Sequence, residues 1–188
     1  EVNLKIFLHR LMESGRVPGE DERDRLLESA ADEVCDSVLH NNYTQSLCLS
    51  LDRLRCLEAV SPFINLIDRL VEAGLLDRKG EFLPAAREIA ARPEQDLSRP
   101  EIAILLAYSK MQIYQALLES PLPGAEETAD TLVAYFPPEF RKTFGSELAG
   151  HPLAVEITAT MLTNRLVDQA GCTFAAELVR ETGATLVE

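Results

Sequence analysis

Apolar residues recur at intervals of three and four along most of the chain, which places them on one face of successive α-helices. Residues 2–14 carry Leu4, Phe7, Leu8 and Leu11 on such a face, and Gly15 closes the run. After a polar loop with Pro18 and Gly19, residues 21–41 read as a long helix with Leu26, Leu27, Ala30, Val34 and Leu39 at helical spacing. Its first turns are acidic, as the helix macrodipole favours. Residues 44–60 resume the pattern through Leu47, Leu51, Leu54 and Leu57, with a break or kink expected at Asn41-Asn42-Tyr43. Ser61-Pro62 opens another helix, whose stripe is Phe63, Leu66, Ile67, Leu70 and Val71 and whose end is Gly74.

Residues 75–83 are the one candidate for strand, a small hairpin turning at Lys79-Gly80. A short helix over 84–91 is stopped by Pro93. Residues 98–120 differ in kind. Ser98, Pro100 and Glu101 form a helix start with a capping box, and 102–108 are then almost continuously apolar. A helix that is apolar nearly all round lies inside a core. Further helices are expected over 126–135, over 139–148, and from His151-Pro152 to about Ala170 with Val155, Ala159, Leu162 and Leu166 on one face. A last helix, capped by Thr173, runs through Arg180. The expected fold is therefore all-α, an irregular multi-helix bundle around a buried central helix (about 98–120), with at most one short β-hairpin near 75–83. It is read as a single helical domain over 1–188, divisible into sub-lobes 1–93 and 94–188 near Pro93 or Pro121. The chain opens on Glu1 inside an amphipathic run, as expected of a piece of a longer polypeptide or of a processed N-terminus.

Composition narrows the partners. With 18 basic against 31 acidic residues, the net charge of −13 repels nucleic-acid phosphates and anionic membrane surfaces alike. No apolar run approaches the roughly 20 residues of a membrane helix, and no signal segment opens the chain. The expectation is no nucleic acid and no membrane. Cys35, Cys48, Cys56 and Cys172 form no C-x-x-C pair, and no histidine stands at zinc-site spacing from them. Cys48 and Cys56, eight residues apart on a helix, would lie about 12 Å apart, beyond disulfide reach. Reduced, mostly buried thiols in a cytoplasmic protein are expected.

Chemistry is sparse. There is no glycine-rich phosphate cradle and no nucleophile elbow. His9, His40 and His151 are scattered, with no second His or Cys at i+3 or i+4, and read as capping or surface residues. Glu20-Asp21-Glu22-Asp24 and Glu126-Glu127-Asp130 lack the spacing of a calcium loop and read as first-turn acids. A helix-turn-helix over 61–92 would offer only Arg87 and Arg92 against Glu88, too little for a DNA-reading helix. Tyr43, Tyr108, Tyr114 and Tyr135 lack flanking cations and read as core-edge residues.

Five blocks carry a resemblance: EVNLKIFL at 1–8, NNYTQSLCLSL at 41–51, LSRPEIAILLAYSKM at 97–111, YFPPEFRKTF at 135–144 and GCTFAAELVRETGA at 171–184. In this order the chain resembles, essentially end to end, the C-terminal helical region of the large bacterial-type NAD-specific glutamate dehydrogenases. The resemblance implies a catalytic core upstream, with the catalytic lysine, catalytic aspartate and dinucleotide fingerprint all before Glu1. It implies no catalytic, cofactor-binding or metal residue on this chain. NAD would serve the full-length enzyme, which converts L-glutamate to 2-oxoglutarate and ammonium. The implied partners are the catalytic core of the same polypeptide and a homo-oligomer of the full-length enzyme, and the implied role is subunit stability, assembly or regulation. An independent helical interaction module with no enzymatic context is the second reading, and composition and spacing do not separate the two.

Overall fold

The first stripe is buried as its spacing requires. In the computed structural model, which describes residues 1–186, α1 (Val2–Glu13) turns Leu4, Phe7, Leu8 and Leu11 into a core. The chain continues through α2 (Glu20–Ser29), α3 (Ala31–Glu58), α4 (Ser61–Glu72), α5 (Ala86–Ala90) and α6 (Arg99–Leu118). Two short 3-10 turns lead to α7 (Ala129–Tyr135), α8 (Pro138–Leu148), α9 (Ala154–Ala170) and α10 (Phe174–Thr182). Among the described residues there is no strand, and the all-α expectation holds. The hairpin candidate at 75–83 is a run of turns in which Asp77 Oδ1 accepts the Lys79 N–H at 3.1 Å and Leu83 N–H bonds back to Arg78.

The helices form two compact units, each assembled from two stretches of chain. The first unit comprises Glu1–Asn42 and Ser120–Leu162. Its core joins the α1 stripe and Val17 to Leu26 and Ala30, and to Leu132, Phe136, Phe140, Phe144, Leu148 and Ile157. Phe7 lies at its centre, with ring centroids 5.8 Å from Phe136 and 6.0 Å from Phe144, the second edge-on, a geometry aromatic pairs favour.

The second unit comprises Tyr43–Glu119 and Thr163–Glu188. The helix expected to be central, α6, buries Ile102, Leu105, Leu106, Ser109, Ile113 and Leu117, and α4 packs on it with Phe63, Leu66, Ile67 and Leu70. Only a narrow line through Ala107, Met111 and Gln115 and the first turn at Arg99 and Pro100 stay exposed on α6. Its start is built as expected: Glu101 accepts the Ser98 N–H at 2.7 Å and grips Arg92 at 2.7 and 2.8 Å.

Several stripes differ from expectation. No break occurs at Asn41-Asn42-Tyr43: α3 runs through it, since residues 31–58 hold no Gly or Pro to interrupt the hydrogen-bond ladder. The discontinuity lies earlier, at Ala30. On α3 the leucines are outside: Leu39, Leu47, Leu51, Leu54 and Leu57 are exposed, and the buried face carries Cys48, Asp52 and Cys56. Small thiols let the helix approach its neighbours closely, and Asp52 finds all its partners there, which leucine could not use. On α9, Val155 and Leu166 are exposed while Ile157, Ala159, Thr163 and Val167 are buried, so the inward face is rotated from the expected one. Val71 on α4 is also exposed.

Candidate functional site

The strongest concentration of buried polar chemistry sits in the second unit, around Asp52. Cys48, Asp52 and Cys56 stand at i, i+4 and i+8 on α3, one face of the helix. The carboxylate of Asp52 is fully buried; Oδ2 accepts the Cys172 N–H at 2.9 Å and Oδ1 accepts from Arg55 Nη1 at 2.7 Å. Cys172 follows Gly171, whose φ of +93° turns the chain out of α9. A side chain at Gly171 would overlap the Asp52 carboxylate and the Arg55 guanidinium, so glycine answers both the backbone geometry and the close approach.

The thiols complete this network without becoming reactive. Cys48 Sγ donates to the Val167 carbonyl at 3.3 Å and Cys56 Sγ accepts the Leu97 N–H at 3.5 Å. Burial, then the charge of Asp52, pushes the Cys48 thiol up to about 12. The same two causes raise Cys172 well above its ordinary value, and burial raises Cys56. A nucleophilic cysteine needs the opposite shift. The Cys172 carbonyl accepts from Ser109 Oγ at 2.9 Å, which ties the α9–α10 junction to α6. Lys110 bonds Asp168 at 2.7 Å and Asn164 at 2.9 Å along the same face of α9. The Asp52, Cys48, Cys56, Ser109 and Lys110 side chains are each bonded to another group of the chain, an arrangement that fixes helices, while Thr163 Oγ1 on the buried face of α9 has no partner among the described residues.

The histidines predicted for caps and surfaces are placed as follows. His9 is exposed and lies 3.5 Å from Glu13, and His40 is exposed. His151 is buried in the first unit: Nε2 faces the Asn3 carbonyl at 3.0 Å, and Nδ1 accepts the Leu153 N–H at 2.9 Å. A carbonyl only accepts, so Nε2 carries the proton and neither nitrogen is left for other work. The acidic clusters stay at helix starts, and no group of three or more His, Cys, Asp or Glu among the described residues is arranged to hold a metal. Four cysteines are free, with Cys35 exposed and the other three buried. The missed signal was the i, i+4, i+8 alignment of Cys48, Asp52 and Cys56.

A groove of about 770 Å³ in the first unit is lined by Leu4, Leu27 and Val34 with Lys5, Arg23 and His9 at its edge. Its cations are engaged, Lys5 with Glu1 at 2.5 Å and Arg23 with Asp24 at 2.7 Å. A dinucleotide pyrophosphate needs backbone N–H groups at a strand-to-helix glycine turn. The described residues contain no strand, and none of the glycines at a positive φ opens a helix, so this kind of pyrophosphate cradle is absent among them. No helix among the described residues is long and apolar enough to cross a membrane.

Comparison with known proteins gives two family matches. Residues 94–188 match the family described as glutamate dehydrogenase, C-terminal. Residues 1–52 match that described as bacterial NAD-glutamate dehydrogenase, catalytic domain. The catalytic-domain match thus extends through α1, α2 and most of α3, further than the resemblance implied. The chain is similar to NAD-specific glutamate dehydrogenases of Mycobacterium tuberculosis (37% identical, all of this chain, 12% of the relative), Pseudomonas aeruginosa (36%, 97% and 11%) and Halomonas elongata (33%, 98% and 12%). It therefore spans about an eighth of the length of these relatives. No solved structure matches it significantly.

Proposed function

Because the chain belongs to the family of glutamate dehydrogenase C-terminal regions, we propose that it is a non-catalytic helical module completing the catalytic domain of a larger NAD-specific glutamate dehydrogenase. The polypeptide that carries it would interconvert L-glutamate and 2-oxoglutarate with ammonium, using NAD bound elsewhere. This chain contributes no catalytic, cofactor-binding or metal residue of its own, and it works in the cytoplasm, where its free thiols stay reduced.

One observation carries the reading: both cores mix residues from the two family matches. In the first unit Phe7, from the catalytic-domain match, packs against Phe136 and Phe144 from the C-terminal match. In the second, Asp52 holds the Cys172 N–H, and Ser46 and Ser50 hold Arg99, with the Ser50 bond at 2.8 Å. A region that shares its core with the last helices of a catalytic domain supports that domain structurally. Stability of the whole subunit is then its first role.

The test is NADH oxidation with 2-oxoglutarate and ammonium, comparing the full-length parent, the parent cut before Glu1 and this chain alone. The expected result is an active parent, a crippled truncation and a folded but silent chain. Activity in this chain alone would overturn its non-catalytic role, and a fully active truncation would overturn the structural one. A full-length parent without the activity would overturn the family's reaction for this protein.

A further inference from the structure

The leucines that α3 turns outward form an exposed face, which Arg99 of α6 reaches only at Ser46 and Ser50. Tyr43, Leu47, Leu51, Leu54 and Leu57 fall within about 120° of one another around the helix axis and are between 36% and 66% exposed. The face is also empty of acid in a chain of net charge −13. Between Asp36 and Glu58 the only carboxylate is Asp52, and it points the other way, buried. The two arginines of the stretch are engaged, Arg53 with Glu94 and Asp96 and Arg55 with Asp52. Depletion of charge over an apolar patch is the composition of an interface centre rather than of a solvated surface.

Area and chain length select the occupant. The five side chains expose about 500 Å², short of the roughly 800 Å² per partner that two separate molecules need for a stable association. A second copy held by this face alone would dissociate. A partner on the same polypeptide needs far less, because tethering supplies an effective concentration in the millimolar range. The relatives are about eight times as long as this chain, and the catalytic-domain match ends at residue 52, inside this very stripe. Tyr43, Leu47 and Leu51 therefore belong to a helix of the catalytic domain whose outer face is bare here. We propose that the Tyr43–Leu57 face of α3 is the seat on which the remainder of the catalytic domain docks within the same polypeptide. This rests on the reading of the chain as part of a glutamate dehydrogenase.

Photo-crosslinking in the full-length parent tests it. Tyr43→p-benzoylphenylalanine keeps an aromatic ring at an exposed position, and Leu54→p-benzoylphenylalanine probes the middle of the face. Glu72→p-benzoylphenylalanine, at the exposed end of α4, is the control. After irradiation the expected product is monomer-sized, with the Tyr43 and Leu54 probes joined to peptides preceding this chain in the catalytic domain. Their yield should exceed that of the Glu72 probe several-fold. A covalent dimer would hand the face to a second copy and overturn the proposal. So would crosslinks confined to residues 1–188, or yields no higher than the control. Glutamate dehydrogenase activity is assayed on the same preparations. An active enzyme with unreactive probes overturns the docking face alone, whereas an inactive unmodified parent overturns the reading beneath it.

Discussion

Replacing Asp52 with alanine should cost about 2–4 kcal/mol, and the partners of the carboxylate say where that comes from. The Cys172 N–H, bonded to Oδ2 at 2.9 Å, sits on a fully buried residue and no water replaces the lost acceptor. An orphaned buried donor costs about 1–3 kcal/mol. Arg55 loses its partner too, but its side chain is 38% exposed and its guanidinium returns to water. That half of the pair contributes only about 0–1 kcal/mol. The remainder is the small void left by the carboxylate. Breaking a fully buried pair costs about 3–5 kcal/mol, so Asp52→Ala should fall at or below that range. For a chain of this size the loss corresponds to a drop in Tm of about 5–12 °C, read by circular dichroism or calorimetry. Asp52→Asn keeps an oxygen for the Cys172 N–H and turns an amide toward Arg55, so its loss should be intermediate. A Tm of Asp52→Ala within about 1 °C of the parent would refute the role of this carboxylate. Equal losses for Asn and Ala would refute the assignment of the cost to the Cys172 N–H.

Leu105→Ala and Leu106→Ala, in the buried face of α6, should each cost about 2–5 kcal/mol in a denaturant melt, and a parent-like midpoint for either would place that residue outside the core. Gly171→Ala, which meets both a φ of +93° and the Asp52–Arg55 pair, should lower Tm by several degrees. Its cost should shrink in the Asp52→Ala, Arg55→Ala background, where the overlap is gone. Burial raises the Glu101 carboxyl, but the hydrogen bonds from Arg92 and Ser98 outweigh it and hold its folded value below the ordinary 4.5. Its stabilisation is therefore present above that pH and lost as pH falls through the lower folded value. The Tm gap between parent and Glu101→Gln should stay constant from neutrality down to about 5 and close in stronger acid, and a gap independent of pH would contradict the sign. Residues 94–188 expressed alone should give no cooperative melt, since the residues that cover Phe136 and Cys172 are missing.

Where local sequence decided the structure, it was read correctly. The α1 stripe is buried residue for residue, α4 starts at Ser61, and α6 begins with the Ser98–Glu101 pair and carries the core of its unit. Capping boxes, prolines and a single dominant apolar face act over four to eight residues and need no tertiary information. On α3 that information was needed. A periodicity argument ranks leucine above cysteine and aspartate for burial, and so it selected Leu47, Leu51 and Leu54 for the inside. The structure chose the face whose polar groups have distant partners: Val167 for Cys48, Cys172 for Asp52 and Leu97 for Cys56. Those partners lie 41 to 120 residues away in the chain, beyond any local window. On α9 the buried side also meets a distant partner, the Val167 carbonyl accepting from Cys48 Sγ at 3.3 Å.

The misplaced leucines and the mixed cores follow from one circumstance. Family boundaries divide the chain at residues 52 and 94, and neither cut respects the packing. The stretch that matches neither family, 53–93, supplies α4, whose Phe63, Leu66, Ile67 and Leu70 line the core shared with α6. A cut at 52 would split α3 beside Asp52, through the residues that hold Cys172 and Arg99. The inward face of α3 bonds the C-terminal region, and its outward leucines are exposed. On α3 an exposed leucine stripe lies on one side, and the buried Cys48, Asp52 and Cys56, each hydrogen-bonded to a distant residue, lie on the other. Within this chain α3 thus ties residues of the catalytic-domain match to residues of the C-terminal match, Asp52 to Cys172 and Ser50 to Arg99.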